Sequence, residues 1–398
     1  MTQAHGDGGI RASGRRLTTK VLVAGGRRGK VGRALATRLD LLRETGVAEL
    51  RAQQSHAEEA SVWGPRVRRL VYREVWEEAA AAVGAEVHSL DGDFLELRRG
   101  GASTTVYFHL VMLDDALTLQ LALDKGVVHA RLRRRNIPVP DHLLFRPTDA
   151  RAAQQFLDAG GGRPCVVKPA SGTSGGEGVT CGVRSHEEFA RATLHAARWS
   201  DEVLIERQAL GDEYRLLFLD GELLDVVRRR SPHVVGDGEH TIAELIAGVN
   251  RERAESGGRA GLTFLAVDLD CLLTLRRSGL SLRSVPGAGA GVAVKSAANQ
   301  NGAADNETVP MSDLCAEVVH ACAEAVAAVG NRLGGVELLT PDPSRPLADV
   351  GGALLEVNGT PGLHYHYIVR DRERATRVAV PLLETLLRDA ERRESRAR

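Results

Sequence analysis

The chain has no net charge, its 52 lysines and arginines being matched by 52 aspartates and glutamates. A nucleic-acid partner calls for a basic excess, so the balance argues against that class. No apolar run approaches the roughly 20 residues that span a bilayer, and the N-terminus lacks a signal-peptide core. Cysteine is scarce: five residues, Cys165, Cys181, Cys271, Cys315 and Cys322. Their number is odd, no pair has zinc-ligand spacing, and Cys315 and Cys322 read as neighbours on one helix. This points to a reduced, cytoplasmic protein. There is no internal repeat. Apolar residues are plentiful, at 43% of 398 residues, enough for a sizeable core and two or three domains.

The most distinctive stretch is VVKPASGTSGGEGV, residues 166–179. An apolar strand end delivers Lys168 and Pro169 to a loop holding Ser171, Gly172, Thr173, Ser174, Gly175, Gly176 and Gly178. Glycines let a backbone approach an anion closely and turn its N–H groups inward. With the lysine charge, the loop suits the β- and γ-phosphates of a nucleotide. It is not a Walker loop, because the lysine precedes the glycines. The same residues read equally as a β-hairpin loop with a surface lysine, and the rest of the chain decides.

Residues 1–18 are polar and glycine-rich, the composition of a disordered tail. A short strand, 20–24, runs into Gly25, Gly26, Gly29 and Gly32 and a helix over 31–39. This is the layout of a dinucleotide fingerprint, which would make an NAD(P) oxidoreductase. A second strand ending in a ribose-binding acid is missing. Glu49 has the right distance but not the setting, so a tight turn without cofactor is preferred. A helix over 72–83 with Trp76, strands within 87–97 around Asp91-Gly92, and a strand over 104–110 complete an α/β domain, 19–120.

A helix then runs from Lys125 to about residue 135, its arginines 131 and 133–135 reading as a solvated face. Pro138 and Pro140 stop it. A strand is expected over 142–145, and a helix from Thr148 to near Gly160. Ser185 with Glu188 forms a capping box for a helix to about residue 199. A buried strand, 203–206, ends in Glu206. Strands over 213–219 and 222–229 flank Asp220-Gly221, a hairpin signal. Thr241 with Glu244 caps a helix ending near Asn250. Residues 253–262 read as a loop, 267–276 as a helix and 297–307 as a polar, mobile loop. A helix over 312–329 packs through Leu314, Val318, Cys322 and Val326 and ends at Gly330. Strands over 334–339 and 353–357 precede a last helix, 375–387, and a frayed tail, 391–398. The domains expected after 120 are 121–206 and 207–390.

Acids give the second strong signal. Glu356 and Asn358 lie two apart on a strand and so face one side, with Glu337 on the neighbouring strand. Few, hard oxygen ligands beside phosphates are what Mg²⁺ uses. A pair of surface acids at a strand end is the plainer reading. Against it, Glu356 follows an apolar pair and precedes a glycine-rich turn.

In order and spacing, Lys125, the Lys168 loop, Glu206 with Glu213, Glu337, and Glu356 with Asn358 resemble the ATP-grasp superfamily. Residues from about 120 to 370 are similar to the ATP-grasp region of cyanophycin synthetases and bifunctional glutathione synthetases. The segment PHVVGDGEHTIAELI, 232–246, is similar to one those enzymes share. Their Mur-ligase-like and γ-glutamylcysteine domains have no counterpart here, which suggests a stand-alone ligase coupling amino acids or small peptides, including in specialised metabolism.

The resemblance implies an α/β (α+β) ATP-grasp fold, with an N-terminal pre-grasp domain and two subdomains clamping ATP. It implies an ATP-dependent carboxylate–amine ligase that works through an acyl phosphate and releases ADP and phosphate. Lys125 and Lys168 would hold the α- and β-phosphates, and residues 171–178 would form a lid over the γ-phosphate. Glu206, Arg207 and Ala209 would form the adenine hinge, and Glu213 would take the ribose hydroxyls. Glu337, Glu356 and Asn358 would bind Mg²⁺, or Mn²⁺ in its place. Arg230 would steady the acyl phosphate, with Arg215, Lys295 and Asn299 facing the same cleft. His233, His364 and His366 are candidates to accept the amine proton. Two departures stand out: position 337 is usually Asp, and the lid is one residue longer than in the cyanophycin-type pattern. The resemblance also implies a possible homo-oligomer. The competing reading within this fold is an ATP-binding sensor without catalysis.

Overall fold

The computed structural model describes residues 32–33, 37–39, 41, 47–173, 176–298, 300 and 302–397. The strand at 20–24, Gly25, Gly26, Gly29, most of the 31–39 helix, Ser174, Gly175 and Asn299 lie outside the described residues.

The first long helix, α1 (Val47–Val83), is 37 residues and starts well before the expected residue 72. It contains Pro65, which removes one intrahelical hydrogen bond at a cost of about 3 kcal/mol. Packing offsets that cost. Val67, Val71, Tyr72, Val75 and Trp76 are buried along one stripe, and each large apolar side chain so buried contributes about 1.5–3 kcal/mol. The stripe lies against an antiparallel meander of β1 (Glu86–Ser89), β2 (Phe94–Arg99), β3 (Ala102–Tyr107) and β4 (Leu110–Val111). The Trp76 indole donates to the Phe108 carbonyl at 2.7 Å.

Two short helices follow, α2 (Ala116–Ala122) and α3 (Lys125–Arg133), capped by Asp115 and Asp124. The next unit alternates β5 (His142–Phe145), α4 (Arg151–Asp158), β6 (Cys165–Pro169), β7 (Thr180–Val183), α5 (His186–Ala196) and β8 (Val203–Arg207). Its strands form one antiparallel sheet, ordered β5-β8-β6-β7. The Ser185–Glu188 capping box is present. Helix α4 begins three residues after the expected Thr148, because Asp149 N–H first closes a turn onto the Arg146 carbonyl at 2.8 Å.

The remaining unit comprises β9 (Asp212–Leu219), β10 (Glu222–Arg229), β11 (His233–Val235), α6 (Ile242–Glu255), α7 (Leu269–Arg277), β12 (Gly291–Ala293), β13 (Asn306–Thr308), α8 (Ala316–Val329), β14 (Leu333–Thr340), α9 (Leu347–Val350), β15 (Ala353–Asn358) and α10 (Ala379–Ala397). Its main sheet is ordered β13-β10-β9-β14-β15, with β11 and β12 as a separate pair. Asp220 and Gly221 adopt φ of 50° and 88°, the turn geometry that a two-residue hairpin needs. Helix α8 packs Val318, Cys322 and Val326 on one face of the sheet, against Leu216, Phe218, Val336 and Leu354. Leu217 and Leu219 point to the other face, where they join α1 and Leu382, Leu383 and Leu386 of α10. This core thus draws on both sides of the division read at residue 120.

Four expectations change. Helix α6 runs on to Glu255, because Arg253 is buried and donates to the Thr263 and Gln300 carbonyls at 2.6 and 2.8 Å. The segment read as a mobile loop, 297–307, is anchored at its end: β13 pairs with β10, and Asp305 and Asn306 are buried. Helix α8 begins at Ala316, after a separate 3₁₀ turn at Met311–Asp313. The expected frayed tail continues α10 to Ala397, with Ser395 Oγ donating to the Glu391 carbonyl at 2.9 Å. Among the described residues, no helix is long and apolar enough to cross a membrane.

Candidate functional site

A cleft of about 600 Å³ lies where the β5–β8 sheet, the five-stranded sheet and the N-terminal unit meet. On its β5–β8 side, Lys168 on β6 and Glu206 on β8 stand diagonally on one sheet face. Lys168 Nζ donates to Glu206 Oε1 at 2.7 Å, both side chains being buried. Among the described residues, Glu206 Oε2 has no hydrogen-bond partner. Lys125, the first residue of α3, is also buried and its Nζ lies 3.3 Å from Glu356 Oε1. Burial opposes the charge on Lys125, but Glu356, with Glu337 and Glu206 behind it, outweighs burial and raises its pKa.

Across the cleft, antiparallel pairing sets Glu337 of β14 directly opposite Glu356 of β15, with Gly335 opposite Asn358. A bulge at Leu355 turns that residue into the cleft wall as well. Glu337 is also in register with Arg215 of β9, whose guanidinium donates to Glu337 Oε1. Burial favours a protonated Glu337, yet Arg215 and Arg229, then Lys125 and Lys168, hold its carboxyl below the usual range. Glu213 behaves oppositely. Burial pushes it up to about 7, opposed by Arg229 and reinforced by the nearby Glu337 charge.

The cleft therefore gathers Lys125, Lys168, Glu206, Ala209, Glu213, Arg215, Arg230, Glu337, Glu356 and Asn358. Of the lid, Thr173 and Gly176 line it, whereas Ser171 and Gly172 do not; Gly178 packs instead beside Pro169 and Trp199. The Arg207 side chain points away, over the Phe156 ring at 4.2 Å and into a hydrogen bond with Cys165 Sγ. Arg230 sits at the rim, 3.4 Å from Glu307. Lys295 is displaced from the expected position. It is 1% exposed and donates to Asp268 at 2.5 Å, while its neighbours Ser296 and Ala297 line the cleft. Among the histidines, His364 lines the cleft, but His366 is fully buried on Asp225 and His233 contacts Asp305.

Nothing in the sequence pointed to Tyr365, Arg68 or His109, and Arg229 stood out only as one of the arginines 228–230, a run that suits an acidic or carboxylate-bearing substrate or an exposed edge strand. Arg229 is buried and spans three elements: it lies 2.5 Å from Glu213, 3.5 Å from Glu337 and 2.6 Å from the Ala298 carbonyl. The Tyr365 ring underlies both Arg229 and Arg215, at 4.5 and 5.2 Å.

Among the described residues, no group of three or more His, Cys, Asp or Glu side chains gathers around one point. Glu337, Glu356 and Asn358 nevertheless offer hard oxygen donors on facing strand positions. Asn358 donates its amide N–H to the Gly335 carbonyl at 3.4 Å, which leaves the side-chain oxygen as acceptor. Mg²⁺ characteristically takes one or two carboxylates plus water and substrate phosphate, so this small set fits it.

No family model matches the chain. It is 33% identical to the cyanophycin synthetase of Trichormus variabilis over 253 residues, which are 63% of this chain and 27% of that protein. It is 30% identical to the bifunctional glutathione biosynthesis protein of Pasteurella multocida over 283 residues, 69% of this chain and 36% of that one. The chain thus matches about a third or less of the length of these relatives. The crystal structure of the Pasteurella multocida bifunctional glutathione synthetase aligns with a TM-score of 0.49 and 24% identity, over 77% of this chain and 42% of that chain. Over the matched residues the chain is a relative of the cyanophycin synthetases and the bifunctional glutathione biosynthesis proteins, and it resembles the ATP-grasp ligases in the order and spacing of the residues that meet in its cleft.

Proposed function

We propose that this chain is an ATP-dependent carboxylate–amine ligase acting on amino acids or small peptides. The observation that carries the reading is the opposition of Glu337 and Glu356 across β14 and β15, with Lys125 and Lys168 in the same cleft. Paired acids facing paired lysines from other elements suit a nucleotide triphosphate with its divalent ion.

Lys125 and Lys168 hold the α- and β-phosphates, exchanging their contacts with Glu356 and Glu206 for phosphate oxygens. Thr173, Gly176 and their lid neighbours cover the γ-phosphate. The backbone at residues 206–209 takes the adenine, and Glu213 takes the ribose hydroxyls. Glu337, Glu356 and Asn358 would hold Mg²⁺, which would neutralise charge on the phosphoryl oxygens. Arg230 on the rim meets the substrate carboxylate.

A substrate carboxylate oxygen attacks the γ-phosphorus, and the bond to the β,γ-bridging oxygen breaks. ADP leaves and an acyl phosphate remains. The amine of the second substrate then attacks the acyl carbon, phosphate departs, and the nitrogen loses a proton. Lysine charges and lid N–H groups stabilise the oxygens that gain charge in both steps. A closed lid keeps water from the acyl phosphate. His233, His364 and His366 are poorly placed to accept the amine proton. His366, buried on Asp225, and His233, beside Asp305, do not line the cleft, and burial together with Arg68 holds His364 well below its ordinary pKa.

Incubation with ATP, Mg²⁺ and pooled amino acids, followed by mass spectrometry, tests the reading. ADP with a product equal to two substrates less water is expected. AMP with pyrophosphate would replace the acyl phosphate by an adenylate.

A further inference from the structure

The ligase reading gives no role to the cleft wall built by the N-terminal unit. Arg68 of α1 and His109, between β3 and β4, line that wall together with His364 and Tyr365. The wall is continuous with the acid cluster. Tyr365 underlies Arg229 and packs on His364 with ring centroids 4.1 Å apart. Tyr72 Oη lies 2.9 Å from His364 Nδ1, and the Tyr72 ring centroid lies 5.8 Å from that of His109. Tyr72 is itself buried in the core of α1. Packed rings thus tie Tyr72, one helical turn from Arg68 on α1, to the Tyr365 side of the acid cluster.

Arg68 differs from the other cations of the cleft. Lys125 faces Glu356, Lys168 faces Glu206, Arg215 faces Glu337, Arg229 faces Glu213 and Arg230 faces Glu307. Arg68, half-buried, has no hydrogen-bond or ion-pair partner among the described residues. The two histidines beside it are uncharged near neutral pH: burial, then Arg68, pushes His109 down to about 4 and His364 well below its ordinary value. Arg68 is therefore the full positive charge on this wall. A guanidinium in that setting matches the two oxygens of a carboxylate in a paired, planar hydrogen bond.

We propose that Arg68 binds the free carboxylate of the substrate whose amine is joined, so that the N-terminal helix selects an amino acid or peptide acceptor. The assignment of an acceptor rests on the ligase reading; the carboxylate subsite is tested apart from it. Each common amino acid and its α-carboxamide would be titrated into the Mg·ADP-loaded full chain, as wild type, Arg68→Ala and Arg68→Lys, with binding read by calorimetry. ADP formation from ATP would be measured alongside.

At least one amino acid should bind wild type about tenfold or more tightly than its carboxamide, the size of a charge-assisted hydrogen bond. Arg68→Ala should bind acid and carboxamide alike, and Arg68→Lys should restore part of the preference. In turnover, Arg68→Ala should raise the KM for the acceptor and leave the KM for ATP in place. A preference for the acid that survives in Arg68→Ala, or no preference in wild type, overturns the subsite. ADP formation with an Arg68-independent preference removes the subsite and keeps the ligase. An Arg68-dependent preference without ADP formation keeps the subsite and removes the ligase.

Discussion

Arg229 Nη1 lies 2.5 Å from Glu213 Oε1, a pairing that a regular hairpin would give to Arg228. Pairing begins at Leu219 with Glu222, and a bulge between Leu223 and Asp225 shifts it by one residue. Arg229 is thereby turned inward and Arg228 outward, toward Glu307. Removing Arg229 takes the buried partner from Glu213, while Glu337 keeps Arg215. Arg229→Ala should cost about 3–5 kcal/mol in urea denaturation, with Arg229→Lys losing less. A loss below about 1 kcal/mol would mean that the pair contributes little to the fold.

Glu356 is a partly exposed side chain, so its removal should disturb the cleft more than the fold. Glu356→Ala should abolish ADP formation while the melting temperature stays near that of wild type. Retained ADP formation in the variant would sink the metal assignment.

Glu213 sets a pH dependence whose sign follows from its lifted pKa. Between 4.5 and about 7, the folded chain holds a proton that the unfolded chain has released. The stability from this carboxyl is complete below 4.5 and is lost as the pH rises to about 7. Glu337 has the opposite sign, its contribution being present above 4.5 and lost on acidification. Glu213→Gln should therefore melt close to wild type near about pH 5 and gain on it by about pH 8. An equal difference at both pH values would contradict the lifted pKa.

Gly211, in the cleft wall beside Ala209, has φ of +112°, and a Cβ there would come within 2.1 Å of the Thr340 carbonyl carbon. Gly221 also has positive φ, +88°, but faces open space. Gly211→Ala should cost about 1–3 kcal/mol more than Gly221→Ala, because it adds overpacking to the left-handed strain that both share. Thermal denaturation of the two variants decides; equal losses would mean that the β14 end simply moves aside.

Local chemistry made much of this protein legible. Capping boxes at Ser185 and Thr241, the Asp220-Gly221 turn and the Gly330 cap each depend on a few adjacent residues, and each is present. The opposition of Glu337 and Glu356 was also within reach, since strand alternation places Glu356 and Asn358 on one side. Other features depend on distant packing. The run of arginines 228–230 is visible in the sequence, but which of them turns inward is set by a bulge that no turn signal marks. Arg68 and His109 reach the cleft only because α1 packs beside the last helix and the Leu363–His366 turn. The resemblance puts Lys295 facing the cleft, and nothing local marks its partner, Asp268, which lies 27 residues earlier in the chain.

The central claim is that a carboxylate is activated as an acyl phosphate. Once turnover has identified the activated substrate, its carboxylate would be labelled with ¹⁸O and the products analysed by mass spectrometry. The account predicts one labelled oxygen in the released inorganic phosphate and none in the nucleotide. Label in AMP would show attack at the α-phosphorus and contradict it.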